Sequence, residues 1–234
     1  MNNELRPTIM DNLRFATLTQ VSMNRSIYPL VKRVFDCVLC VAILPLALIM
    51  IAMIACAIFV DSPGSVFFIQ ERVGQNGRRF RMVKFRTLRR DHDQLGSREF
   101  MIAFVNGQLE QRNTSEGIFK PVKKSEITRV GRLLRRTSLD ELPQILNVLR
   151  GEMSLVGPRP NVPWEVEAYQ EWHKERLRVL PGITGLAQVR GRSGISFDSI
   201  VKYDIQYVAR QSLQLDLQIL WWTFSSVMSG RGAG

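Results

Sequence analysis

The stretch VLCVAILPLALIMIAMIACAIFV, residues 38–60, decides the fold class: 22 of its 23 residues are apolar and the exception is Pro45. About 20 consecutive apolar residues suffice to span a bilayer. The flanks argue against a simple crossing. Lys32 and Arg33 precede the run, Arg72, Arg78, Arg79, Arg81, Lys84 and Arg86 follow it, and basic flanks mark the cytoplasmic side of a span. Both ends therefore read as cytoplasmic. A helix broken at Pro45 reconciles length with charge, because arms of about 12 and 15 residues reach only about 18 and 22 Å, short of the ~30 Å hydrocarbon core. The expected element is a re-entrant membrane helix over residues 31–61, kinked at Pro45, which enters the bilayer and turns back. Carbonyls freed by the proline then need side chains or neighbouring protein as partners. The alternatives are an ordinary transmembrane helix and a signal peptide cleaved near Ala55-Cys56-Ala57. The run is too long and begins too late for a signal, whose apolar region has about 7–15 residues.

Working outward, residues 1–30 have mixed polarity and read as a weakly structured leader, with a short helix near residues 9–20. The whole chain has 234 residues, 45% of them apolar, and a net charge of +11. That is enough apolar content for one domain with a sizeable core, and it excludes a disordered protein. The charge calls for an anionic partner: nucleic acid, membrane headgroups or phosphorylated small molecules. The three cysteines, Cys37, Cys40 and Cys56, lie in or beside the apolar run and give no disulfide framework. Cys37-x-x-Cys40 lacks the second ligand pair of a zinc site. With only His92 and His173 in the chain, a Ser-His-Asp mechanism is disfavoured.

Beyond the turn Asp61-Ser62-Pro63-Gly64, SVFFIQERVG and RRFRMVKFRTL read as two extended segments joined at GQNG, a hairpin-type connection. In the second, Phe80, Met82 and Phe85 alternate imperfectly with Arg81, Lys84 and Arg86, giving a basic platform. Residues 98–111 have helical apolar spacing, suited either to a membrane surface or to a core-facing helix. SEITRVGRLLRRTS reads as a short basic helix, and LPQILNVLRGEMSLVG as a longer apolar one ending at Gly151. SLQLDLQILWWTFSSVM alternates like a strand at residues 213–219. It also puts Leu213, Leu217, Leu220, Phe224 and Val227 on one helical face, and we assign it as a helix. Trp221 and Trp222 suit a headgroup-level anchor.

Three further motifs carry candidate chemistry. RRTSLDELPQ sets two carboxylates, Asp140 and Glu141, after a run of cations. Ser138 and Glu141 fit a capping box, but Pro143 better suits a helix starting at Leu139 or Asp140. A carboxylate at that positive end is expected to have a lowered pKa and to stay ionised, usable as a nucleophile or a magnesium ligand. In Gly157-Pro158-Arg159-Pro160, Pro158 and Pro160 fix the backbone on both sides of one arginine, reducing the entropy lost in presenting it to a phosphate. LPGITGLAQVRGRSG, with four glycines and the arginines Arg190 and Arg192, has a composition suited to close backbone approach by an anionic ligand.

Taken in order, KRVFD, the basic helix, SLDELPQ, GEMSLVGPRP and PGITGLAQVRGR resemble the bacterial sugar transferase family of monotopic phosphoglycosyl transferases, and the likeness covers most of the chain. The resemblance implies an α+β fold that is mostly helical. Its parts would be the N-terminal re-entrant helix, a small cytoplasmic catalytic domain at 62–234 and interfacial amphipathic helices. It implies transfer of a sugar 1-phosphate from a UDP-sugar to polyprenyl phosphate, typically undecaprenyl phosphate, with release of UMP, at the bacterial inner membrane in polysaccharide synthesis. The family's acidic dyad falls on Asp140 and Glu141, implying an aspartyl phosphosugar intermediate and a Mg2+ ion held by the two. By position in the motifs, Lys84, Arg86 and Arg135 are phosphate-binding candidates, Arg159 orders its loop or contacts an anion, and Arg190 and Arg192 face the nucleotide or sugar. Leu44 precedes Pro45 where the family often has Ser, and Arg190 stands where Asn or Ser is frequent. Expected partners are the UDP-sugar, polyprenyl phosphate, membrane lipids and a second copy in a homodimer, with no nucleic acid. The rival reading is a non-catalytic basic module for membrane surfaces or nucleic acid. It explains the charge but not the dyad, and no nucleic-acid-binding motif is present.

Overall fold

A computed structural model of the chain describes residues 27–89, 94–108, 124–191 and 195–229. It is mostly helical, with two small two-stranded sheets among the described residues. The apolar run forms α1, Tyr28–Asp61, which begins three residues earlier than expected, with a proline in its first turn. The expected two arms are one helical element: Pro45 lies inside α1 without ending it. The helix is long and apolar enough to cross a membrane.

One stripe of α1 meets the rest of the protein along its full length. Arg33 donates to the Leu149 carbonyl at 2.9 Å, and Ser154 Oγ donates to Asp36 at 2.6 Å. Cys40, Leu44 and Ala47 pack with Phe80, Met82, Ile145, Val148 and Met153, so Leu44, at the position before the proline, fills core space. Ile51, Ile54 and Ile58 pack with Phe85 and Leu134. Finally Asp61 accepts from the Val130 amide at 2.9 Å. Successive contact positions are three or four residues apart, which keeps them on one face of the helix, and Pro45 and the large apolar residues Val34, Val38, Val41, Leu48 and Met53 are left exposed. From Arg33 to Asp61 the stripe is about 42 Å long at 1.5 Å per residue.

The expected hairpin is present. Strand β1, Phe67–Val73, pairs antiparallel with β2, Arg79–Phe85, in the register Phe68↔Lys84 and Arg72↔Phe80. Asn76 (φ 53°) and Gly77 (φ 80°) make the reversal. Period-two geometry places Phe80, Met82 and Lys84 on one face with Phe68 and Arg72. This accounts for the imperfect alternation: Lys84 lies on the inward face, over the Phe68 ring at 5.4 Å. Phe85, of opposite parity, is fully buried because it stacks on Phe67 and meets α1. The free edge of β2 is covered by a side chain, since Asn147 accepts from the Val83 amide and donates to the Arg81 carbonyl.

Helix α2, Gln94–Val105, turns Phe104 and Val105 onto a cluster with Tyr169, Phe197 and Val201, the core-facing option. Helix α3, Arg129–Thr137, is the basic helix, capped by Thr128. The longer apolar helix ending at Gly151 is shorter than expected. A 3-10 helix at Leu139–Gln144 leads into α4, Ile145–Leu149, and Gly151 (φ 79°) follows it in the left-handed conformation. Beyond Gly151, β3, Ser154–Val156, runs parallel to β4, Gly182–Thr184. Between them lie α5, Pro163–Glu167, and a 3-10 helix, Glu171–Arg178; α6, Leu186–Gly191, and α7, Phe197–Arg210, follow β4. The last helix, α8, Leu213–Met228, is a helix as assigned, but its inward face is Asp216 and Ile219. Leu217, Trp221, Phe224 and Met228 form an exposed stripe; of the apolar face read from the sequence, Leu217 and Phe224 lie outward, whereas Leu220 packs on the core with Tyr207 and Ile219. Asp216 is fully buried, where it accepts from Tyr28 (2.9 Å), Lys32 (2.8 Å) and Tyr207 (2.7 Å), tying α8 to the start of α1.

The leader falls outside the described residues but for its last four positions, and its helix near residues 9–20 falls outside entirely.

Candidate active site

The two carboxylates sit where α3 ends. Ser138 adopts a left-handed conformation (φ 56°), closes α3 and makes no side-chain cap to the next helix, so the capping box does not form. The 3-10 helix starts at Leu139, and its first turn presents Asp140 and Glu141. Pro143 is accommodated because the segment is a short 3-10 turn packed against β2 and α3.

Cations surround the pair. Arg159 Nη1 donates to Glu141 Oε1 at 2.8 Å. Lys84 and Arg135 also act on Asp140, and Arg135 is held by Nε donating to Thr87 Oγ1 at 3.0 Å. The expected lowering of the Asp140 pKa is reversed. Burial raises it first and the Glu141 charge second, against the pull of Lys84, Arg159 and Arg135. A six-residue 3-10 turn offers too small a dipole to override desolvation. Burial, with Arg159 and Arg72 nearby, pushes the Lys84 ammonium down to about 8. The Glu141 carboxylate holds Arg159 above its ordinary value.

The loop that carries Arg159 is held by more than its prolines. Four consecutive carbonyls each accept a hydrogen bond: Pro158 from the Gly182 amide (2.9 Å), Arg159 from Arg176 Nη2 (3.0 Å), Pro160 from Arg72 Nη1 (3.0 Å) and Asn161 from the Val73 amide (2.9 Å). The glycines of PGITG serve this loop. A Cβ on Gly182 would lie 2.1 Å from the Gly157 nitrogen, and one on Gly185 would lie 2.3 Å from the Gly157 oxygen. At these two positions the close approach expected of a ligand is made by the protein's own backbone.

The structure thus brings Asp140, Glu141, Lys84, Arg135 and Arg159 together. Arg86 is 8% exposed and its guanidinium donates to the Ser62 carbonyl, fastening β2 to the end of α1. Arg190 stacks on the Trp222 ring at 4.7 Å, joining α6 to α8, while Arg192 lies outside the described residues. Sequence reasoning missed Arg72, Glu165, Arg176 and Asp204. Arg72 shares the inward parity of Lys84. Glu165 accepts from the Val162 amide three residues earlier and is raised by burial. Arg176 and Asp204 meet only through the tertiary fold and carry no local signal.

Comparison with known proteins matches these elements as a set. The description "Bacterial sugar transferase" fits residues 27–230. The chain is 44% identical over 172 residues to the galactosyl transferase CpsE of Streptococcus agalactiae, covering 73% of this chain and 36% of that one. It is 40% identical over 210 residues to the exopolysaccharide production protein ExoY of Rhizobium meliloti, covering 89% of this chain and 90% of that one. It is 38% identical to the undecaprenyl-phosphate galactose phosphotransferase of Salmonella typhimurium, over 86% of this chain and 41% of that one. The chain therefore spans nearly all of ExoY but less than half of the other two. With the dyad, the arginine loop and the long apolar helix all inside the matched region, the chain belongs to the bacterial sugar transferase family.

Proposed function

We propose that the chain transfers a sugar 1-phosphate from a UDP-sugar to polyprenyl phosphate at the cytoplasmic face of the bacterial inner membrane, releasing UMP, as an early step of polysaccharide synthesis. The observation that carries the proposal is a partly buried acid pair enclosed by Lys84, Arg135 and Arg159, in a body packed along a long apolar helix. Relatives named as undecaprenyl-phosphate galactose and glucose phosphotransferases support the acceptor class.

In the proposed first step, an Asp140 carboxylate oxygen attacks the sugar-bearing phosphorus of the donor. The P–O bond to the nucleotide breaks, and UMP leaves with the bridging oxygen and its electron pair. In the second, a phosphate oxygen of the lipid attacks the same phosphorus and the acyl-phosphate P–O bond breaks. This regenerates the carboxylate and gives a lipid diphosphosugar. Two anionic substrates meeting an anionic nucleophile require compensation, and Lys84, Arg135 and Arg159 supply it. Asp140's raised pKa suits a nucleophile that must be ionised yet poorly solvated. Among the described residues no group of three metal-ligating side chains occurs, and Mg2+ is commonly held by one or two carboxylates with substrate phosphates completing its shell. Asp140 and the Glu141 oxygen not engaged by Arg159 fit that donor set. When bound, the ion would offset charge on the pyrophosphate.

We further propose that α1 is re-entrant. Its Lys32 and its Asp61 both bind elements of the same small body, which supports placing both ends on one side. The exposed Leu217, Trp221, Phe224 and Met228 stripe of α8 supports an interfacial contact. A panel of UDP-sugars offered with polyprenyl phosphate and magnesium, scored for UMP, tests the activity. Release of UMP with one donor is expected, and no release with any donor would remove the reading.

A further inference from the structure

The Arg159 side chain is 45% exposed and donates to Glu141 Oε1, so its aim over the dyad depends on how its backbone is held. Beneath it lies Arg176, 2% exposed. Its guanidinium donates through Nη2 to the Arg159 carbonyl (3.0 Å) and through Nη1 to Asn161 Oδ1 (3.0 Å) and Tyr169 Oη (2.7 Å). Asp204 of α7, 1% exposed, supplies the counter-charge, with Oδ2 2.6 Å from Nη2. A buried ion pair contributes little net stability compared with apolar packing. What this pair contributes is geometry: a planar fork grips residues 159 and 161, on either side of Pro160, in a way one ammonium point charge cannot match.

We infer that Arg176, with Asp204 as its partner, is a positioning residue that sets Arg159 over the acidic dyad. The inference rests on the phosphotransfer reading proposed above. Arg72 grips the next carbonyl, Pro160, from the hairpin side, so the substrate-facing arginine is held between a strand and a buried helix network.

The test is a double-mutant cycle on the full-length protein in lipid, read as kcat/KM for UMP release. Arg176→Lys keeps charge and loses the fork, and is expected to lower kcat/KM by about 10²-fold, the cost of small misplacement of a contact group. In the Arg159→Ala background the same change should alter kcat/KM by no more than about twofold, because nothing remains to be positioned. Equal losses in both backgrounds would overturn the inference and assign Arg176 to general stability. Should Arg176→Lys fail to fold, Asp204→Asn, which removes the counter-charge and keeps the shape, is run through the same cycle with the same criterion. A wild-type protein that releases no UMP defeats the phosphotransfer reading, and this inference with it. Wild-type activity with additive losses defeats the inference alone.

Discussion

Lys84 gives the sharpest handle on the site, because its ammonium is pushed down to about 8 by burial and by Arg159 and Arg72. If this charge is needed to receive the donor phosphates, the free enzyme loses its competent form as pH rises. About nine-tenths of Lys84 is charged at pH 7, half near pH 8 and about one-tenth at pH 9, so kcat/KM should fall about tenfold per pH unit above 8. At saturating donor the pyrophosphate charge beside the ammonium favours its protonation, so kcat should hold to higher pH than kcat/KM. Lys84→Arg keeps its charge across this range and should remove the alkaline limb, even if its plateau is lower. Stability should move the opposite way. Between about 8 and the ordinary 10.5 the unfolded chain binds the proton and the folded chain does not, so the Lys84 contribution to stability rises with pH in that window. Initial rates of UMP release and thermal unfolding, both taken in overlapping buffers, check the two trends. A flat kcat/KM through pH 9, or an unchanged limb in Lys84→Arg, would refute the role given to Lys84.

Asp140→Asn is expected to abolish turnover and Glu141→Gln to reduce it sharply with both variants still folded in membranes, since an amide cannot attack phosphorus; near-normal UMP release from the Asp140 variant would remove the covalent intermediate. Gly182→Ala should lower stability by about 3 kcal/mol or more, because its Cβ meets backbone that has no side-chain freedom to yield; an unchanged melting temperature in detergent would contradict the packing described. With Cys37, Cys40 and Cys56 replaced by Ala, Ile27→Cys and Ser65→Cys should both resist an impermeant thiol reagent on intact cells and both react in inverted vesicles; external labelling of one end alone would establish a crossing helix.

The elements whose signal is local were legible in the sequence. The apolar run, the hairpin around Asn76 and Gly77, the basic helix before Ser138 and the final helix all announce themselves by period, charge or turn chemistry within a dozen residues. The candidate site was legible in its dyad and in Lys84, Arg135 and Arg159. What escaped was set by partners distant in sequence. The parallel pairing of β3 with β4 joins residues nearly thirty positions apart, and Gly157, Gly182 and Gly185 acquire their meaning only from that pairing. Asp140 was misjudged because burial and the Glu141 charge, which dominate its ionisation, are invisible in a string of letters. The core position that Asp216 takes in α8, held by Tyr28, Lys32 and Tyr207, was not foreseen for a related reason: a buried aspartate gives no apolar signal in the sequence.

The contact stripe of α1 fixes the helix in phase as well as in place. Contacts at Arg33, Asp36, Cys40, Leu44, Ala47, Ile51, Ile54, Ile58 and Asp61 recur, on average, every 3.5 residues. The outward residues are free to drift among apolar types, since any of them suits lipid. Length is a different matter. One residue inserted after Leu48 would rotate everything beyond it by about 100°, swinging Ile54, Ile58 and Asp61 off Phe85, Leu134 and Val130. Evolution can therefore repaint this helix readily but not resize it: even seven added residues, which restore the phase, would carry Ile54, Ile58 and Asp61 about 10 Å along the axis from their partners, so a conserved count between Arg33 and Asp61 amid variable letters would be the expected mark of a segment read by its spacing.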